Sequence, residues 1–321
     1  MKQLKLIGLV VTLISVMFIG TTVWRIGLNV ARDHITPRLI VLSFIAALLS
    51  AFAIGISAKC WASYFEFFAK VRVPFPDAFV VYARSNVLKY LPGNVVQYIG
   101  RNVLAQRFGD QVSLGLSSVW EIGGSFLGGA AVLFLFARGE LFTLLNAGFS
   151  RVQAPGPVTL AALILLLVLI VFAFVLRPFR RLRNPTRSVA THVKHMASPE
   201  FLFLLVFNSA IYGALLCFEG FVLVVLIQEI KHFSLTDRGQ VEVVAFSILS
   251  WLAGFVVPGS PGGLGVREVI LYGLLSPICG APTAVLAAAI WRLITMTGDV
   301  LAVPVAQGIL WVKNRRSACN E

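Results

Sequence analysis

Two arginines stand out by their surroundings. Arg101 follows Leu91-Pro92-Gly93-Asn94 and Gly100, and Arg267 follows Pro258-Gly259-Ser260-Pro261-Gly262-Gly263-Leu264-Gly265-Val266. Each lies nine residues after the proline of a Pro-Gly pair, and each has a polar neighbour, Asn102 or Glu268. A guanidinium can grip a phosphate through two parallel hydrogen bonds. The free N–H groups and positive dipole end of a helix N-terminus favour an anion in the same place. The expected chemistry is anion binding, with Arg101 and Arg267 supported by Pro92, Gly93, Asn94, Gly262, Gly263, Gly265 and Glu268. The alternative leaves each arginine at the membrane surface, meeting headgroups without selectivity.

Four more ionisable residues fall within apolar runs: Glu121, Glu219, Arg292 and Asp299. Such a side chain at the centre of a bilayer costs about 2.5–3.5 kcal/mol on insertion scales, so each predicts a partner or contact with water. Glu121 and Arg292 sit at comparable depths in their runs, and a midplane ion pair between them is the simplest expectation. Asp299, seven residues after Arg292 and on the same helix face, competes for it. Glu219 has no evident partner and is expected to face a cavity or to carry a proton. For every one of these acids, purely structural pairing stands beside function as the alternative.

The composition determines which elements must position these groups. A 58% hydrophobic content and a mean hydropathy of +0.87 exclude an ordinary soluble domain. The formal charge of +13 would suggest nucleic acid in a soluble chain. Here the basic residues lie beside apolar runs, which is the positive-inside signal, and no nucleic-acid partner is expected. Full spans are predicted over residues 6–24 (uncleaved rather than a signal peptide), 39–58, 112–136, 158–176, 201–228 and 283–312.

Around the two Pro-Gly tips the runs are shorter. Residues 77–91 and 95–108 flank the first tip, and 243–257 and 269–275 flank the second. A span needs about 20 apolar residues, so each pair predicts a re-entrant hairpin. Irregular backbone at that depth is tolerated only where it is buried in protein or lines a wet cavity. The predicted fold is an all-α polytopic membrane protein: about six full transmembrane helices plus two re-entrant hairpins, in a single domain over 1–321. Residues 39–136 and 201–312 would form an inverted repeat. Lysine and arginine placement puts both termini in the cytoplasm. The alternative makes 243–257 a full span, giving seven crossings and an external basic tail.

Other signals are weaker. Cys60, Cys217, Cys279 and Cys319 show no paired or metal-like spacing, and His192 and His195 in a basic section carry no convincing metal signal. The run Gly123-Gly124-Ser125-Phe126-Leu127-Gly128-Gly129 has the small-residue spacing of a close helix contact. No P-loop, His-Glu-x-x-His or Gly-x-Ser-x-Gly pattern is present, so no metal or cofactor is expected and direct ATP-driven pumping is disfavoured.

The stretch Pro261-Gly262-Gly263-Leu264-Gly265-Val266-Arg267-Glu268, with Leu91-Pro92-Gly93-Asn94 and the intramembrane Glu121, resembles the lysylphosphatidylglycerol synthase transmembrane-region family of flippase-like membrane proteins. The resemblance implies movement of aminoacylated phospholipids or a place beside lipid-linked glycan or hopanoid pathways. Longer members carry a soluble aminoacyl-transferase domain that this sequence lacks, so the resemblance implies translocation without lysyl transfer, with a separate lipid-modifying enzyme as a candidate partner. The resulting expectation is a lipid translocase (flippase) of a bacterial-type inner (plasma) membrane, acting on an anionic or aminoacylated phospholipid or a polyprenyl-phosphate-linked lipid. Its phosphate would sit near Arg101 and Arg267. Two other classes stand beside it: a membrane enzyme or enzyme subunit of lipid-linked glycan or headgroup modification, with Glu268 or Glu121 as its acid, and a scaffold that carries nothing.

Overall fold

The structure, a computed structural model, describes residues 35–91, 96–136, 195–257 and 261–318. The expected spans over 6–24 and 158–176, the basic section between 177 and 194, Pro92, Gly93 and Asn94 of the first tip, and Pro258 to Ser260 of the second lie outside the described residues.

Eight helices organise what is described: α1 (Pro37–Ala69), α2 (Phe75–Val87), α3 (Val96–Ala105), α4 (Gln111–Phe136), α5 (Pro199–Lys231), α6 (Asp237–Val256), α7 (Val266–Cys279) and α8 (Ala281–Ala318). Short 3-10 turns, Leu88–Tyr90 after α2 and Pro261–Gly263 before α7, stand at the two tips. Four of the described helices, α1, α4, α5 and α8, are long and apolar enough to cross a membrane. They fit a multi-pass membrane protein.

The helix limits have local causes. The Thr36 hydroxyl accepts from Leu39 N at 3.1 Å, with Pro37 in the first turn of α1; the Ser198 hydroxyl accepts from Phe201 N at 3.2 Å, with Pro199 opening α5. A capped first turn followed by proline starts a helix because it satisfies a free N–H and presets the backbone. Both helices end on a left-handed residue, Lys70 at φ 56° and His232 at φ 53°, which turns the chain back. These signals carry α1 and α5 beyond the expected 39–58 and 201–228. They also open α6 at Asp237, six residues before the expected run, because Thr236 caps it through Gly239 N.

The perimeter is apolar, and the interior combines an apolar core with polar and charged groups. Large apolar side chains such as Phe44, Phe52, Phe203 and Phe207 are exposed, while Ser50, Ser85, Arg101, Glu121, Asn208, Arg292 and Asp299 are buried. An apolar perimeter with such polar groups kept inside is what a lipid solvent selects. The core has two main parts. One joins Leu223, Ile227 and Phe246 to Leu271 and Trp291, and the other joins Trp61 and Phe65 to Phe79, Ala302 and Ala306.

Long helices approach one another through glycine. On α4 the predicted small-residue contact is realised at Gly128: a Cβ there would overlap the carbonyl oxygen of Ser209 and come within 2.7 Å of Gly213 N on α5. On α8 a Cβ at Gly298 would meet Ser50 Cβ at 2.7 Å and Ala47 O at 3.0 Å on α1. Backbone obstacles cannot rotate away, so Gly128→Ala is expected to destabilise by about 1–3 kcal/mol. Gly308→Ala, with nothing within 4 Å of its Cβ, is the neutral control in a thermal-unfolding series. An equal response of the two variants would remove the close-contact account.

Candidate functional site

The charged residues of the apolar runs are brought together, with partners that depth alone did not predict. Glu121 on α4 pairs with Arg101 on α3. Its other oxygen accepts from the Tyr82 hydroxyl at 2.5 Å. Arg101 Nε also donates to Ser85 Oγ at 3.1 Å, and the guanidinium lies 3.8 Å from the centre of the Tyr82 ring, a cation–π contact. Arg101 is 1% exposed. The expected Glu121–Arg292 pair is therefore not formed: each helix's rotation, not its residues' depth, decides which neighbour a side chain meets.

Arg292 is held elsewhere. Its Nε lies 3.2 Å from Glu268 Oε1, aligned as a charge pair without a hydrogen bond, and it donates from a terminal nitrogen to Gly262 O at 2.9 Å. Glu268 in turn accepts from Gly265 N at 2.6 Å, closing the first turn of α7 as a capping side chain. At Arg101–Glu121 an arginine of a short helix meets a glutamate of a long one, and at Glu268–Arg292 a glutamate of a short helix meets an arginine of a long one.

Asp299 does not compete for Arg292. It accepts from Asn86 Nδ2 at 2.7 Å and from the Tyr90 hydroxyl, and Lys89 Nζ lies 2.6 Å away. The Tyr90 ring lies against Gly262, where an added Cβ would meet it at 3.4 Å, and 5.7 Å from the Arg292 guanidinium. Arg292 and Asp299 thus use one face of α8 for two tasks. Arg292 holds the tip at Gly262, and Asp299 holds the tip at Lys89 and Tyr90, so the two tips touch.

The glycines called from sequence serve this arrangement. Gly262, Gly263 and Gly265 have φ of 58°, 74° and 84°, a region that costs other residues dearly. A Cβ at Gly263 would come within 2.5 Å of Arg267 Nε, and one at Gly254 would lie 2.8 Å from the same nitrogen. Two glycines therefore form the bed on which the Arg267 side chain lies, with its guanidinium 5.7 Å from the Trp251 ring.

A cavity of about 220 Å³ opens inside this framework. Arg101, Glu121, Glu219, Arg267, Asp299 and Lys89 line it, with Gln97, Tyr98, Tyr212, Trp251 and Trp291 among the remaining walls. Family models and curated proteins show no match to this chain. Its site is read from its own chemistry.

Counting the charges around the cavity identifies what is unspent. Arg101 neutralises Glu121, Lys89 neutralises Asp299, and Arg292 neutralises Glu268. Two groups remain. Arg267 has no carboxylate within ion-pair distance among the described residues, and its buried Nε has no acceptor. Glu219 accepts from Ser50 Oγ at 3.1 Å through Oε1, while its buried Oε2 has no donor.

Sequence reasoning missed Lys89, Asn86, Tyr90 and Tyr82. A usable signal was present for one of them, because an intramembrane Asp299 demands a base and Lys89 stands beside the first tip.

Proposed function

We propose that this chain is a membrane lipid translocase that holds the phosphate of an anionic or aminoacylated phospholipid, or of a polyprenyl-phosphate lipid, at Arg267. The observation that carries the reading is the Arg267 guanidinium, without an ion-pair partner among the described residues, on the wall of a cavity lined by charged groups. Arg267 is half-buried, and a cation partly withdrawn from water without a counter-charge carries a cost that an anionic ligand offsets. Arg101, expected from sequence to share the phosphate, is committed to Glu121, so the second guanidinium shapes the cavity wall and the first binds.

The finer architecture belongs to the same proposal. A helix rises about 1.5 Å per residue, so α2, α3 and α7, at 13, 10 and 14 residues, reach about 15–21 Å against a hydrocarbon core of about 30 Å. They suit re-entrant hairpins, which with six full spans would complete the bundle. The order long helix, shorter helix, turn, short helix, long helix occurs twice, although α6, at 20 residues, is the longest of the four inner helices and reaches about 30 Å. Both opening helices are 33 residues long and share a hydroxyl cap, an N-terminal proline and a left-handed end. Contacts of α1 with α8 and of α5 with α4 exchange under the same two-fold operation. This pattern supports an inverted repeat, with each half rocking against the other to open the cavity to one leaflet at a time.

The test uses purified protein in phosphatidylethanolamine liposomes carrying fluorescently labelled phosphatidylglycerol, with a membrane-impermeant quencher reporting the outer leaflet. Arg267→Ala removes a charge-assisted contact of about 1.5–3 kcal/mol, which predicts a loss of about 10- to 100-fold in translocation. Arg267→Lys, which keeps the charge and loses the fork, should fall between. Folded Arg267→Ala protein that moves the lipid at the wild-type rate would remove the proposed site.

A further inference from the structure

We propose that Glu219 binds one proton for each lipid phosphate that Arg267 receives, so that translocation runs as proton-linked cotransport. This rests on the translocase reading and adds the coupling ion to it.

Charge balance within the cavity links the two groups. The three ion pairs described above are neutral as they stand. An ionised Glu219 and the Arg267 guanidinium, both facing the cavity, then leave the empty site neutral. A phosphodiester arriving at Arg267 adds a negative charge to a poorly solvated space that already holds the carboxylate. Two like charges sharing such a space raise the proton affinity of the weaker acid. Proton uptake by Glu219 restores neutrality, and by linkage a protonated Glu219 favours phosphate binding to the same degree.

The surroundings of Glu219 leave it as the group that can respond. From α1 it meets the Ser50 hydroxyl. From α8 it meets Asp299 across the cavity, but that carboxylate is occupied by Lys89, Asn86 and Tyr90. The Trp291 indole of the same helix donates to the Glu219 backbone carbonyl at 3.1 Å. On α4 the facing acid is Glu121, already held by Arg101 of α3 and by Tyr82. On α6 the facing residues are Ser247 and Trp251, neither of which titrates in the relevant range, and on α5 itself Tyr212 lines the same wall. The cation is a proton rather than a metal ion. A hard metal cation needs about six or more oxygen ligands, and Ser50 is the one side-chain hydroxyl bonded to this carboxylate among the described residues.

Two readouts test the proposal. Infrared difference spectra of the protein in nanodiscs, with and without soluble short-chain phosphatidylglycerol, should show a protonated-carboxyl band appearing with the lipid. The band should be absent in Glu219→Gln and retained, shifted, in Glu219→Asp. In the labelled-lipid liposomes, now loaded with a pH-sensitive dye, an imposed pH gradient should drive net lipid movement with proton entry in the wild type. Glu219→Gln should lose both the gradient response and the proton signal.

A wild-type protein that moves lipid without responding to the gradient, a Glu219→Gln protein that keeps its response, or a response that follows sodium instead would each overturn the proton assignment and leave the translocase reading standing. Absence of any lipid movement in the wild type, together with no spectral change on adding lipid, would overturn both.

Discussion

Arg101→Ala is expected to destabilise the folded protein by about 3–5 kcal/mol, the usual consequence of removing one member of a buried ion pair. The residue is nearly inaccessible, and its loss leaves Glu121 charged in the interior with only the Tyr82 hydroxyl as a donor. It also empties a volume bounded by the Trp61, Tyr82 and Tyr98 rings. The double variant Arg101→Ala, Glu121→Gln should recover much of the loss, because the amide oxygen still accepts from Tyr82 without carrying a charge. Thermal or denaturant unfolding followed by tryptophan fluorescence in detergent would measure both. If the double variant is as unstable as the single one, the pair does not carry the energy assigned to it. This outcome also separates the two arginines: Arg101 variants should fail as proteins, and Arg267 variants should fold and fail to bind.

Removing the carboxylate of Asp299 should have the second large effect. It satisfies Lys89, Asn86 and Tyr90 at once, and those donors form or precede the first tip. Asp299→Ala leaves a cation and two polar groups without an acceptor. Lys89 is 24% exposed, so water from the cavity screens part of the penalty and the expected cost is about 2–4 kcal/mol. Asp299→Asn keeps an acceptor for Asn86 or Tyr90 and should cost about half as much. The local signature is release of the tip: Leu88→Cys, half-buried beside Gly100 in the parent, should react faster with a soluble thiol reagent when combined with Asp299→Ala. Unchanged reactivity would show that the tip is held by something other than α8.

The charged residues of the apolar runs illustrate why pairing is hard to read from sequence. Glu121, Arg292, Asp299 and Glu219 were each identifiable as residues needing a partner, since an ionisable group within an apolar run is conspicuous by its cost. Choosing partners requires knowing which way each helix is rotated and which elements lie beside it. Glu121 and Arg292 look matched along the chain, yet Arg101 and Glu268 are the groups that the neighbouring short helices present to them. The spacing of seven between Arg292 and Asp299 did place them on one face of α8. Only the packing of both tips against that face turned apparent competitors into two separate anchors.

Taken alone, the chain's order of residues determined that this is a helical membrane protein, that the charged groups within its apolar runs need partners, and that the glycine-rich stretch before Arg267 is a special backbone. Those properties are local: hydropathy, caps, and positive φ values are written within a few residues of where they act. Tertiary structure decided that Arg101 is spent on Glu121, that the glycines cradle a guanidinium stem, and that, among the described residues, Arg267 has no ion-pair partner and one carboxyl oxygen of Glu219 has no donor. Charge compensation is the reason. Whether a buried ion is available for a ligand depends on every opposite charge within a few ångströms, and those charges come from parts of the chain far apart in sequence.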